Sequence, residues 1–302
     1  MPNLTTTIGP LTLKNPTILA SGIMDEDAGS IRRMIAGGAG AVVTKSIGIT
    51  PRDGYPNPTV VETTCGLLNA MGLPNPGIDA FTTELDELKK TPVPLIGSIY
   101  GKDAEEFKIL AKKMQHHHAD ALELNVSCPH AKHYGMEVGM DPDILADITQ
   151  AVTTAVHIPV FVKLSPNVTD ITSLAQAAQE AGADAIVAIN TLKGMTIDLD
   201  LRRPVLANKT GGYSGPAIKP VGIRCVYDIS QHVTIPVIGV GGITTGTDVI
   251  EYLMAGASAV QIGTAVYLRG PSVFSLITKE LRAWLTKHHV DNLADLIGAA
   301  HP

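Results

Sequence analysis

His118-Ala119-Asp120-Ala121-Leu122-Glu123-Leu124-Asn125-Val126-Ser127-Cys128-Pro129 contains one helix exit, one strand and one strand end. Small residues lead into an apolar run, the run stops at the polar cluster Asn125-Val126-Ser127-Cys128, and Pro129 forbids its continuation. A continuous apolar run bounded in this way reads as a strand buried on both faces. A thiol at the carboxyl end of such a strand stands where a barrel or open sheet carries its chemistry. A lone cysteine is also commonly a buried structural thiol, so the rest of the chain has to decide.

Working outward, the same small-residue boundary returns in Gly38-Ala39-Gly40-Ala41-Val42, Gly182-Ala183-Asp184-Ala185-Ile186 and Gly256-Ala257-Ser258-Ala259-Val260. It alternates strictly with a second kind, in which proline opens the strand: Asn15-Pro16-Thr17-Ile18, Pro92-Val93-Pro94-Leu95, Ile158-Pro159-Val160 and Ile235-Pro236-Val237. Glycine just past a helix can take the left-handed capping conformation, and proline at the first residue of a strand costs no interior ladder bond. Four of each give eight strands. Helices are expected at Asp27–Ala36, Gly77–Lys90, Asp103–His117, Pro142–Val156, Ile171–Ala181, Pro220–Gln231, Thr247–Ala255 and Ser272–His288. Eight βα units imply an α/β protein, a (β/α)8 TIM barrel with its helices outside and one domain over 1–302. An open doubly wound sheet is the alternative. Thr5 to Ile8 and Leu11 to Leu13, around Gly9-Pro10, read as a small N-terminal hairpin.

Composition narrows the class of protein. With 45% hydrophobic and 17% charged residues the chain is globular, and its net charge of −6 gives no reason to expect nucleic acid as a partner. Three cysteines without a disulfide-like pattern suit a reducing, cytoplasmic setting. No signal-peptide pattern opens the chain, and no run approaches the ~18 to 20 apolar residues of a membrane span, so no membrane association is expected.

In a barrel the carboxyl ends of the strands ring one mouth. They are Ser21-Gly22, Thr44-Lys45-Ser46, Gly97-Ser98, Asn125 to Cys128, Lys163-Leu164-Ser165, Asn190-Thr191, Gly241-Gly242 and Gly263-Thr264. Glycine pairs after the seventh and eighth strands can bring backbone N–H groups against an anion where barrels often hold a phosphate. Lys45 and Lys163 end apolar strands and need a negative partner: a bound anion or electron-rich ring, or an internal carboxylate, for which Glu123 is the acid on these strands. Asn69, Asn125, Asn190 and Thr191 supply donors and acceptors suited to a planar ligand with amide groups. Long connections, Ser46 to Pro76 and Leu192 to Pro216, read as loops forming lids or site walls, and Pro129 to Met140, with Gly135 and Gly139, as a movable lid. His116, His117 and His118 are consecutive, point different ways on a helix and read as a solvated helix end rather than a metal site. His130 and His133 read as solvated loop residues that could carry protons, and Cys65 and Cys225 as structural thiols.

These strand ends resemble those of the class 1 dihydroorotate dehydrogenases, soluble FMN-containing enzymes, over essentially the whole chain. The resemblance rests on Thr44-Lys45-Ser46, Asn69-Ala70-Met71-Gly72-Leu73-Pro74-Asn75-Pro76-Gly77, Asn125 to Pro129, Val162-Lys163-Leu164-Ser165-Pro166, Ile189-Asn190-Thr191, Gly212-Tyr213-Ser214-Gly215, Gly241-Gly242-Ile243 and Gly263-Thr264-Ala265, all in the family's order. It implies FMN held by Ser21, Lys45, Ser46, Ser98, Asn125, Lys163, Ile189, Gly215, Gly241, Gly242, Gly263 and Thr264. It implies substrate held by Lys45, Asn69, Ala70, Met71, Gly72, Leu73, Asn125, Asn190 and Thr191, with Cys128 as catalytic base in the oxidation of dihydroorotate to orotate in pyrimidine synthesis. The family often has asparagine where this chain has Ser98 and His130. Glu62-Thr63 and Gly66 to Ala70 are similar to the NAD-linked type, which works with a separate iron–sulfur and FAD subunit; the resemblance also implies a homodimer. This chain has neither a cysteine cluster nor a Gly-x-Gly-x-x-Gly site, so any NAD linkage is expected to come from a partner. Rival readings are a dihydropyrimidine dehydrogenase-like reductase of uracil, a flavin enzyme of tRNA uridines, a flavin-free phosphate-binding barrel such as an aldolase, and a non-catalytic binding barrel.

Overall fold

The computed structural model describes residues 1–126 and 139–302. Its eight apolar runs form eight parallel strands closed on themselves: β1 (Thr17–Leu19), β2 (Ala41–Val43), β3 (Leu95–Ile99), β4 (Ala121–Asn125), β5 (Val160–Leu164), β6 (Ala185–Ala188), β7 (Val237–Val240) and β8 (Ala257–Ile262). Neighbours follow chain order, and Val260↔Thr17 in the β8–β1 pair closes the ring. Helices α1 (Ala28–Ala36), α2 (Ile78–Leu88), α3 (Ala104–His116), α4 (Pro142–Thr153), α5 (Ile171–Glu180), α6 (Lys219–Ser230), α7 (Gly246–Met254) and α8 (Val273–Lys287) alternate with the strands, and a short helix, Thr264–Arg269, precedes α8. Among the described residues no helix is long and apolar enough to cross a membrane.

The two kinds of strand boundary interlock. The carbonyls of Pro16, Pro94, Pro159 and Pro236 each accept an N–H from the neighbouring strand, from Val260, Val42, Leu122 and Ile186, so each proline loses only a donor the ladder does not use. Asp120 and Asp184 of the other boundary then accept the N–H of Leu95 and Val160, each at 2.8 Å. At the exits of α1, α5 and α7, Gly38, Gly182 and Gly256 have φ of 106, 91 and 110°, while His118 holds the matching place after α3 at φ 65°.

Along each strand, alternate side chains face the helices or the barrel interior. The outward set, including Leu122, Leu124, Val160, Val162 and Ile186, packs into one core with the helices. The inward set, Ile18, Ala41, Val43, Ile96, Ala121, Phe161, Ala185, Val187, Ile238 and Ala259, forms a second core. The antiparallel hairpin Thr6–Ile8 and Leu11–Leu13 contributes Ile8 and Leu13 to this second core.

The long connections after β2 and β6 are not simply loops. Val60–Thr63, Gly66–Asn69, Gly211–Ser214 and Leu192–Gly194 join into a four-stranded antiparallel sheet with a small core of Leu68, Ala70 and Leu206. Its middle pairing sets Gly212 opposite Asn69. Strands this short, joined across so much chain, leave no local periodicity to read.

Candidate active site

Above the apolar interior the same strands turn polar. Stepping by two along β4 leads from Ala121 to Glu123 to Asn125, along β5 from Phe161 to Lys163 to Ser165, and along β8 from Ala259 to Gln261 to Gly263. Of these residues Asn125, Lys163, Gln261 and Gly263 line a cavity of about 420 Å³ whose walls include the four-stranded sheet. Of the expected cofactor-binding residues, Ser21, Lys45, Ser46, Asn125, Lys163, Ile189, Gly215, Gly241, Gly242, Gly263 and Thr264 line it. Of the expected substrate-binding residues, Asn69, Met71, Gly72, Leu73, Asn190 and Thr191 line it as well.

Two residues stand elsewhere. Ser98 does not line the cavity: it is fully buried, 2.8 Å from the Ser46 hydroxyl. Ala70 packs into the core of the four-stranded sheet with Leu68 and Leu206, because strand alternation turns it away from Asn69. Cys128, Ser127, His130, His133 and Gly135, with most of the expected lid, lie outside the described residues. Cys65, expected as a structural thiol, is exposed. Cys225 is buried, and burial pushes its thiol pKa up.

Ser46 is a hub. Its hydroxyl lies 3.2 Å from that of Ser21, and Asn125 Nδ2 donates to it at 3.0 Å. Both lysines have carboxylate partners. Lys45 Nζ is 2.9 Å from Glu26 Oε1, whose side chain is 67% exposed. Lys163 Nζ is 3.3 Å from Glu123 Oε1 and donates to Gln261 Oε1 at 3.0 Å. The internal ion pair and the cavity-lining position are therefore both realised at Lys163. Beside Lys45, Asp25 takes the Gly22 N–H at 2.6 Å. Burial pushes its carboxyl up to about 6, against the opposing pull of that N–H and of Lys45.

The glycine turns are held from behind. Tyr252 on α7 donates its hydroxyl to Gly241 O at 2.7 Å. Asp248 takes the Thr244 and Thr245 N–H groups at 2.8 Å and Lys219 Nζ at 2.7 Å. Burial works against the charge of Asp248, yet these donors hold its carboxyl below the usual range. Gly242 has φ 69°, and a Cβ there would come 2.9 Å from Gly215 O. At Gly263 a Cβ would meet only Ala20, at 3.7 Å, so the bare backbone there is open to the cavity rather than crowded by protein. Sequence reasoning did not single out Asp25, Glu26, Tyr252, Asp248 or Gln261. Gln261, a lone polar residue inside the apolar run Ala259 to Ile262, carried a readable signal.

The family model for dihydroorotate dehydrogenase matches residues 3–285. The "Dihydroorotate dehydrogenase B (NAD(+)), catalytic subunit" of Methanocaldococcus jannaschii is 53% identical over 302 residues, covering 99% of this chain and 98% of that protein. The protein of the same name from Thermoplasma acidophilum is 50% identical over 300 residues, 99% of each. Among solved structures, a crystal structure of DHODH from Eimeria tenella in complex with ferulenol superposes with a TM-score of 0.87 at 27% identity, covering 100% of this chain and 89% of that one.

Proposed function

The chain belongs to the dihydroorotate dehydrogenase family, and from that premise we propose that it oxidises (S)-dihydroorotate to orotate in pyrimidine synthesis with FMN as its resident cofactor. The observation that carries this reading is the convergence of two lysines, three asparagines, a threonine and two glycine turns on one cavity.

The residues present fit FMN. The Gly241–Gly242 and Gly263–Thr264 turns leave backbone where a phosphate could approach, and Gly263 has no protein neighbour that demands glycine. Ser21, Ser46, Asn125, Lys163, Ile189 and Gly215 would hold the rest, with Ser98 acting through Ser46. Bound there, the flavin supplies a two-electron acceptor for hydride from the substrate ring.

The chain's own residues supply the remainder. Lys45 would bind the substrate carboxylate, taking it in place of Glu26. Asn69, Asn125, Asn190 and Thr191 would hold the ring amides, and the backbone of Met71 to Leu73 would close over them. Cys128, as thiolate, would take the proton from the carbon beside the ring carbonyl, and the nearby cations would favour the thiolate. A preorganised field of this kind costs no rearrangement during the reaction.

Electrons would then leave to a partner. The relatives named above are catalytic subunits of NAD-linked enzymes, which supports an iron–sulfur and FAD subunit as acceptor. Exposed Met195, Ile197, Leu199 and Leu201 near the cavity-side sheet offer apolar surface for protein contacts of this kind, or for a homodimer. The reading is of one domain over 1–302, working in the cytoplasm. Purified protein should be yellow, and dihydroorotate should bleach it under anaerobic conditions while dihydrouracil does not. A colourless protein that cannot take up FMN, or bleaching by dihydrouracil alone, would overturn the reading.

A further inference from the structure

Glu123 is a fully buried carboxylate in a strand that is otherwise apolar up to Asn125, and the reaction outlined above gives it no task. It lies on the inward face of β4, Lys163 on that of β5 and Gln261 on that of β8, across the barrel. The three close a triangle: Lys163 Nζ meets Glu123 Oε1 at 3.3 Å and Gln261 Oε1 at 3.0 Å, and Gln261 Nε2 donates to Glu123 Oε2. Their relative exposures are 0% for Glu123, 6% for Lys163 and 1% for Gln261, so bulk water screens the charges little. Lys163 and Gln261 line the cavity and Glu123 does not. The ammonium therefore faces the ligand with a fixed negative charge directly behind it.

We propose that Glu123 is the built-in counter-charge of Lys163, and that this buried pair, rather than the lysine alone, sets how readily the bound flavin is reduced. The inference rests on the FMN reading above. Reduction adds negative charge to the flavin, and a lone buried ammonium beside it would favour the reduced form strongly. The carboxylate offsets part of that attraction, which keeps the reduced flavin able to pass its electrons on. Gln261 serves both charges with one amide, accepting from the lysine and donating to the acid, and so holds the pair in a single orientation. Glu123 is on this account a positioning and charge-setting residue, not a catalytic one.

The test is the flavin midpoint potential of the holoprotein, measured by anaerobic redox titration. Glu123→Gln should shift the reduction equilibrium at least about tenfold toward the reduced form, ~30 mV more positive for a two-electron couple. Glu123→Asp, which keeps the charge, should stay near the parent. A flavin-loaded Glu123→Gln within twofold of the parent would overturn the inference. Removing one member of a buried pair can also destabilise the protein. If Glu123→Gln holds no flavin, the comparison moves to Lys163→Gln against the double variant Lys163→Gln/Glu123→Gln. The double should retain flavin better, or lie closer to the parent potential, than Lys163→Gln; a double no better than the single overturns the inference. A parent protein that takes up no flavin overturns the FMN reading along with it, whereas a flavin-bearing parent with an unmoved Glu123→Gln overturns this inference alone.

Discussion

At the level of Phe161 the barrel interior is filled by Ile18, Val43, Ile96, Val187 and Ile238, with Ile8 and Leu13 of the N-terminal hairpin packed among them. Two residues further along the same strands it holds Lys163, Glu123, Gln261, Ser98 and Lys45. Both levels are almost wholly buried and both obey the same alternation of side chains. What separates them is which end of a parallel strand they occupy. All eight strands run the same way, so the carboxyl ends gather the residues able to do chemistry and the amino ends gather the residues that repay burial. The lower level stabilises by removing apolar surface from water. The upper level accepts desolvation of charges and offsets it with partners at about 3 Å, as between Lys163 and Gln261 at 3.0 Å.

The contrast can be broken experimentally, starting where the expected effect is largest. Cys128→Ala should slow flavin reduction by dihydroorotate by roughly 10²- to 10⁴-fold while the thermal unfolding midpoint stays put. Activity near the parent's would remove the thiol from the chemistry. Phe161→Ala, on the fully buried lower level, should do the converse and cost about 3 to 5 kcal/mol in denaturant unfolding. At temperatures where that variant is folded it should still bind flavin. Loss of flavin binding from a folded Phe161→Ala would show that the two levels are not separable.

Asp25 extends the comparison to pH. Its carboxyl sits at about 6 in the folded protein against 3.8 ordinarily, so the native state holds the proton more tightly than the unfolded chain does. Its contribution to stability is therefore greatest below about pH 4 and declines as pH rises to about 6, by on the order of 3 kcal/mol in all. Asp25→Asn should gain on the parent across that window, and a difference that stays level with pH would contradict the placement. The smallest effect is expected at the amino end of β4. His118→Gly relieves a left-handed residue at φ 65° and should stabilise by roughly 0.5 to 1 kcal/mol, with flavin reduction unchanged.

Much of this architecture could be read in the chain because the boundaries repeat. Alternating proline and small-residue entries marked all eight strands, and each expected helix overlaps one of α1 to α8. The strand ends also named much of the polar lining of the cavity, including Lys45, Ser46, Asn125, Lys163, Asn190 and Thr191. Ser98 and Ala70 are two named residues that do not line the cavity, because lining depends on which face a side chain presents in depth. Ser98 is buried against Ser46, and Ala70 is turned into a core that exists only once Gly66–Asn69 pairs with Gly211–Ser214. Glu123 was visible as the one acid on the eight barrel strands, but nothing in one dimension showed that Gln261 would reach it from the far side of the ring.

The sequence by itself determined eight βα units and which residues end their strands, because the two alternating kinds of strand boundary are local signals that repetition reinforces. The tertiary structure alone decided which charges meet. Lys45 meets Glu26 and Lys163 meets Glu123 because neighbouring segments pack side by side, Gln261 reaches Glu123 because the ring closes, and among the described residues the second oxygen of Asp25 has no hydrogen-bond partner; no stretch of chain specifies the depths at which this happens.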